Sequence, residues 1–445
     1  MSGSNQLLRV LGVVFGLAAV VGSVIGQGIL RSPGVVAEAT GSGTVIIALW
    51  VIGALISCLN AFAYAELGAA IPRSGGSYAF IHRAFGGRIS LLAALALLIQ
   101  NFATLAYLSF VVGEFLVRLG VGGGQISPGL FGVAAMALFA LINASGTKIT
   151  GFSQILLSSL KGVVLLGLVI VLFAAPGTAP PTDPEPLRDG WLPMGTAVVV
   201  VITTYGGWWN IAYYGEEIER PGKSIPRAMF GGIIGVAVIY VLLNLAMLHV
   251  MTPDQMAGSK LVAADAAGIA LGQQADFLLT CFGVLSVGAI ANLALMSFTR
   301  LTYALAKAGV LPHSLAVVGQ RGTPLRAMLL TAAAPTLLMV SGSYLALVSL
   351  GEAVFLPVMI GVAAAVLVLR RKEPDLERPY RVPFFPYTIY ASLAVLTALT
   401  VVYIVQDPFY SLAGFVLVGI MWLGFQLAAR LRGHKGIAEA RVEDL

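Results

Sequence analysis

The chain has 445 residues, of which 58% are apolar and 10% charged, with a mean hydropathy of +0.92; soluble domains carry roughly 25% charge and under half apolar residues. That balance excludes a soluble enzyme. The 26 Lys plus Arg against 20 Asp plus Glu suit the basic inner loops of a membrane protein rather than nucleic acid.

A spanning helix needs about 20 mostly apolar residues. Twelve stretches near that length occur, at 10–38, 42–66, 89–117, 127–147, 150–174, 194–216, 228–250, 277–306, 326–342, 347–370, 386–406 and 409–429. The first exceeds the ~7 to 15 residue core of a signal peptide and continues through Gly26-Gln27-Gly28 to Glu38, so it reads as a helix. A short link around Gly342 to Ser349 divides the ninth from the tenth. Cys58 and Cys281 lie in separate apolar runs, away from any polar loop, and read as packing residues rather than a bridge.

Lys and Arg set the orientation. With a cytoplasmic N-terminus, the inner segments hold Arg9, Arg73, Arg88, Lys148, Arg220, Arg300, Lys307, Arg370, Arg371 and the basic tail, while the outer side keeps only Arg31, Arg118, Arg188 and Lys260. Acidic residues collect on that outer side, among them Asp183, Glu185, Asp189, Asp254, Asp265, Asp276 and Asp407. Twelve spans with both ends inside follow from the asymmetry, without an appended soluble domain.

In chain order, the first candidate for chemistry is Gly22 to Gly28, with three glycines at 22, 26 and 28 in mid-helix. Each costs ~1 kcal/mol in a helix interior relative to alanine. A break there frees backbone groups and aims the positive end of the following half-helix at an anion; close packing through small residues is the alternative. Lys161 is the one unambiguous charge deep in an apolar run, 13 residues beyond Lys148. At ~1.5 Å per residue that is about 20 Å, too far to snorkel back. A mid-membrane lysine marks a pathway or the place of a coupling cation, or else caps the carbonyls of a broken helix.

Thr203-Thr204-Tyr205-Gly206-Gly207-Trp208-Trp209-Asn210 then puts a glycine pair and two tryptophans inside the sixth stretch, too deep for an interfacial belt. Gly26 and Gly206 stand 180 residues apart, the spacing of two five-helix repeats that each begin with a broken helix, and such paired breaks point to a midplane binding site. Asn101, Asn292 and Glu352 are lesser polar positions that could line a side-chain pocket or carry a proton; Glu114 lies near a helix end. Interhelical hydrogen bonds or wet surface positions are the alternative for these. His249 and His313 are expected to be solvated. No zinc, nucleotide or nucleophilic motif occurs, since Gly26 and Gly28 lack the strand and third glycine of a dinucleotide site. No metal or cofactor is expected, and an enzyme or a channel fits the pattern worse than a carrier.

These residues resemble the amino acid, polyamine and organocation transporter superfamily, and within it the L-type amino-acid transporter group. The resemblance rests on GSVIGQGIL at 22–30, similar to G-x-x-I-G-x-G-I-F, and on YGGWWNIAYYGEEIERPGKSIPRA at 205–228, similar to Y-x-G-W followed by E-E-I-x-x-P and I-P-R-A. PRSGGSYAFIHRAFG at 72–86 and RRKEPDLERPYRVP at 370–383 support it. It implies an all-α membrane protein of LeuT type, with inverted repeats over 1–175 and 190–371, two further helices over 384–430 and a cytoplasmic tail at 431–445. Substrate would meet Val21, Val24, Gly26, Gln27 and Gly28 of the first helix and Thr203, Tyr205 and Gly206 of the sixth, its carboxylate on N–H groups and its ammonium on freed carbonyls near Val21, Thr203 and Gly206. Trp208 matches an outer-gate aromatic, and Lys161 a lysine that replaces a sodium ion.

Three departures reshape the implied pocket: Gln27 where Ser or Ala is usual, Thr203 where a bulky residue is common, and Trp209 in place of asparagine. A small or polar neutral side chain is then expected. The implied activity is sodium-independent exchange of free L-amino acids in the cell membrane by alternating access. A proton-coupled amine, polyamine or cationic amino-acid carrier using Glu352 or Glu114 is the alternative. No cysteine matches the one that joins animal members to a heavy subunit, so an independent carrier is expected.

Overall fold

A backbone group left unpaired in hydrocarbon costs several kcal/mol, so a chain this apolar satisfies its backbone within helices. The computed structural model describes residues 7–26, 28–177, 191–259, 261–272, 274–319, 321–341 and 344–431. Residues 1–6, Gln27, residues 178–190, Lys260, Gln273, Gln320, Gly342, Ser343 and residues 432–445 lie outside the described residues.

The helices are α1 (Val13–Val24), α2 (Gly28–Thr40), α3 (Gly43–Ala70), α4 (Ser77–Phe85), α5 (Gly87–Arg118), α6 (Pro128–Ala144), α7 (Thr147–Ala174), α8 (Trp191–Thr204), α9 (Pro221–Val250), α10 (Pro253–Ala257), α11 (Val262–Leu271), α12 (Gln274–Lys307), α13 (Leu325–Ser341), α14 (Tyr344–Lys372), α15 (Tyr387–Gln406) and α16 (Pro408–Leu431). Among the described residues β-structure is limited to two isolated bridges, Leu11 with Ile218 and Ser74 with Tyr214.

Among the described residues eight helices are long and apolar enough to cross a membrane, and up to nine spans result if α1 and α2, bent by 45°, count as one. The eight are α3, α5, α7, α9, α12, α14, α15 and α16. Of the remaining expected stretches, the fourth and ninth hold the shorter apolar helices α6 and α13, and the sixth holds α8, which stops at Thr204. The central helices are α5 and α12, each 72% buried over its most apolar window, against 22% for α15 and 17% for α16. Leu55, Ile170, Leu337 and Phe409 point large side chains outward, where lipid rather than water suits them. The chain is a multi-pass membrane protein.

The segment after Val250, read from sequence only as acidic, folds into α10 and α11. A capping box starts α10, with Thr252 and Gln255 bonding reciprocally to each other's backbone. The backbone of this segment closes on α2, since a Cβ on Gly34 would stand 2.8 Å from the Ser259 carbonyl oxygen.

At the opposite end, Glu66 of α3 accepts two hydrogen bonds from Arg370 of α14, at 3.0 and 2.6 Å, and one from the Val382 N–H at 2.7 Å. Arg378 adds an ion pair at 3.5 Å. One carboxylate therefore ties α3, α14 and the segment that follows α14. Both cysteines are free, Cys58 on α3 and Cys281 on α12.

Candidate functional site

Two helix breaks meet at the centre of the molecule. The first lies between α1, whose last turn closes with the Ile25 N–H on the Val21 carbonyl at 2.9 Å, and α2, which begins at Gly28. The second follows α8: the Gly206 N–H bonds to the Thr203 carbonyl at 2.9 Å, Gly207 turns with φ +109°, and a 3-10 helix runs over Trp208–Tyr213. Gly207 is required twice over, because that φ favours glycine and a Cβ would come within 2.9 Å of the Ser23 Cβ. Gly28 also lets the breaks approach, its missing Cβ standing 3.0 Å from Thr204. Ser32 of α2 and Thr204 of α8 share a hydrogen bond of 2.7 Å across them.

The carbonyls expected to be free near Val21 and Thr203 are therefore engaged. Those of the next residues take side-chain donors from three other helices. Lys161 of α7 is fully buried and its Nζ donates to the Gly22 and Ile25 carbonyl oxygens, each at 2.9 Å. Ser286 of α12 donates to the same Ile25 oxygen at 3.3 Å. Tyr240 of α9 donates to the Val24 oxygen at 2.8 Å and more weakly to the Thr204 oxygen at 3.4 Å. One turn earlier Ser158 of α7 donates to the Ala18 oxygen at 2.7 Å. Helix C-termini carry unpaired carbonyls and about half a negative charge, and the Lys161 side chain meets two of those carbonyls. The first N–H groups of α2 face the break with the opposite polarity, suited to an anion.

Aromatic rings close the site. Tyr205 packs with Trp50 and Tyr240 at centroid distances of 5.8 and 5.1 Å, and its buried hydroxyl has no hydrogen-bond partner among the described residues. Trp208 is buried edge-on to Tyr64 of α3 at 5.3 Å. The half-buried Trp209 reaches Phe355 of α14 at 4.8 Å. Gly26 packs beneath Ile290 of α12, 2.7 Å from its absent Cβ.

The outlying polar residues divide into two places. Asn101 of α5 lies beside Tyr213, and Glu352 of α14 lies beside Gln100 of α5. Asn292 of α12 instead accepts from Asn143 of α6 at 2.9 Å. Glu114 is exposed. His249 is not merely solvated: its Nε2 contacts the Ala175 carbonyl oxygen at 3.1 Å and its ring packs at a tilt against Phe173. Among the described residues no group of three or more His, Cys, Asp or Glu could hold a metal ion.

Sequence reading missed a buried ion pair. Arg300, counted with the loop cations, lies within α12 at 1% exposure and forms two 2.8 Å bonds to the fully buried Glu217. Thr147 of α7 donates to the same carboxylate at 3.1 Å. The Glu217 carbonyl accepts from the Val10 and Leu11 N–H groups at 3.0 and 2.9 Å. The segment before α1, the end of the second break, α7 and α12 are thus clamped together. The signal available in the sequence was that Arg300 falls inside the eighth apolar stretch, seven residues before Lys307.

The amino acid permease family model matches residues 11–425. A serine/threonine exchanger, SteT, of Bacillus subtilis (strain 168) is 26% identical over 392 residues, covering 86% of this chain and 88% of the relative. The large neutral amino acids transporter small subunit 2 of Mus musculus is 30% identical over 404 residues, covering 87% and 75%. The cystine/glutamate transporter of Homo sapiens is 28% identical over 430 residues, covering 93% and 83%.

Proposed function

We propose that this chain, which belongs to the amino acid permease family, exchanges free L-amino acids with small or polar neutral side chains across the cell membrane, without sodium, by alternating access. The observation that carries the reading is Lys161 Nζ on the Gly22 and Ile25 carbonyls at the first helix break. An ammonium already placed on the carbonyl end of α1 removes the need for a sodium ion there. The substrate carboxylate would sit on the N–H groups at the start of α2, near Gly26, Gln27 and Gly28. Its ammonium would sit near Thr203, Tyr205 and Gly206, with Val21 and Val24 behind the first break.

Trp208 is the proposed outer gate. Family membership supports the finer architecture: twelve spans, inverted repeats over 1–175 and 190–371, two further helices and both termini in the cytoplasm. Similarity to a serine/threonine exchanger supports exchange, and similarity to a cystine/glutamate transporter supports amino-acid transport. Cys58 and Cys281 both lie within helices, which supports a carrier working without a heavy subunit.

Sodium-free uptake of a radiolabelled amino-acid mixture into proteoliposomes tests the proposal. Uptake confined to vesicles preloaded with unlabelled amino acids is expected. Equal uptake into empty vesicles would mean net transport, and a strict sodium requirement would overturn the role given to Lys161. A second reading, a proton-coupled amine or cationic amino-acid carrier, is favoured by Glu352, a carboxyl held inside the bundle against Gln100. It predicts label uptake only for cationic compounds and only under a pH gradient.

A further inference from the structure

Two hollows lie along one seam of the bundle, apart from the helix breaks. The first, of ≈ 330 Å³, has wholly apolar walls that include Leu92 and Ala96 of α5, Pro357 of α14 and Phe415 of α16. The second, of ≈ 480 Å³, lies against Arg88 at the start of α5 and Trp422 and Gln426 of α16. Arg88 and Ala96 are eight residues apart on one helix, about 12 Å along its axis, so one hollow continues the other. Trp422 Nε1 donates to the Arg88 carbonyl oxygen at 3.4 Å and fastens α16 to α5 between them.

The charge at this end is positive. Arg88 is exposed, and its guanidinium has no ion-pair or hydrogen-bond partner among the described residues. Lys372 Nζ donates to the Ala84 carbonyl at 3.0 Å, four residues before Arg88, which adds a second cation nearby. Arginine and tryptophan at the end of a spanning helix mark the headgroup level, and basic pockets between spanning helices attract anionic headgroups.

We propose that the α5–α16 seam binds one anionic glycerophospholipid, with its phosphate on Arg88 and one acyl chain in the apolar hollow. A sterol would leave Arg88 without a counter-charge, whereas a phospholipid meets both halves of the seam. The chain lies against Pro357, five residues beyond Glu352, so occupancy braces α14 against α5.

Native mass spectrometry of the detergent-purified full chain, delipidated and then titrated with phosphatidylglycerol or phosphatidylcholine of the same chains, tests this. A single-lipid adduct is expected, about fivefold tighter for phosphatidylglycerol, as one arginine at a membrane surface provides. Arg88→Gln should remove that preference. Gly419→Phe should abolish both adducts; the absent Cβ of Gly419 has no heavy atom within 4 Å, so the larger side chain has room to fill the hollow. Quenching of Trp422 by brominated-chain phosphatidylglycerol, taken as the difference between the unsubstituted protein and Trp422→Phe, should saturate, and it needs no altered cavity. Equal affinity for the two lipids, an undiminished preference in Arg88→Gln, unsaturable quenching, or a dimer of the chain without a lipid adduct would each overturn the proposal.

Discussion

Replacing Lys161 by alanine separates a cation that holds the first helix break from one that merely fills space. Its Nζ makes two bonds of 2.9 Å to carbonyls of one helix end. Hydrogen bonds involving a charged group contribute ~1.5–3 kcal/mol each, so the substitution withdraws about 3–6 kcal/mol from the assembled break. Relief from desolvating a buried ammonium offsets part of this. The expected net loss of sodium-free exchange is then ~10- to 100-fold, at 1.4 kcal/mol per factor of ten. Exchange would be assayed in proteoliposomes with sodium or choline as the monovalent cation. Lys161→Ala leaves both carbonyls facing an open space, and sodium should restore part of the rate. Lys161→Met fills that space with an apolar chain, and sodium should not help. Unchanged sodium-free kinetics in a folded Lys161→Ala protein would refute the reasoning.

The Arg300–Glu217 clamp makes a second prediction. Glu217→Gln leaves a buried guanidinium without its counter-charge and should lower stability by about 3–5 kcal/mol, read by unfolding in detergent; the double variant with Arg300→Met should recover most of it, and additive losses would deny the coupling. Tyr240→Phe removes the 2.8 Å bond to the Val24 carbonyl and should cost ~0.5–1.5 kcal/mol, seen as a rise in the substrate concentration for half-maximal exchange of at most about tenfold. Gln27→Ser should broaden or shift the side chains that compete for uptake, and an unaltered competition profile would put Gln27 outside the pocket. Burial pushes the His82 imidazole on α4 below its ordinary value, so the native form stays neutral while the unfolded chain gains a proton. Stability should therefore fall as pH drops below about 6.5, and His82→Gln should flatten that slope.

Much of the site was legible because its signals are local. Glycine weakens a helix where it stands, so Gly26, Gly28, Gly206 and Gly207 located the interruptions at which α1 and α8 end. Lys161 stood out because a charge inside an apolar run has few explanations. Partnership was not legible: nothing near residue 161 names Gly22 and Ile25 as its acceptors, and nothing near Asn292 names Asn143. Arg300 could be counted as a loop cation because burial depends on residues 83 and 153 positions away.

Composition and the spacing of apolar runs, glycines and charges determined by themselves that this chain lives in a membrane and interrupts two of its helices. Which carbonyls face Lys161, which tryptophan reaches α14, and how Glu217 closes on Arg300 were decided only by the tertiary structure. The physical reason lies in the solvent. A soluble helix shows its buried face as an amphipathic stripe, whereas a helix between lipid and protein is apolar on both sides, so its sequence marks the span but not the neighbour it packs against.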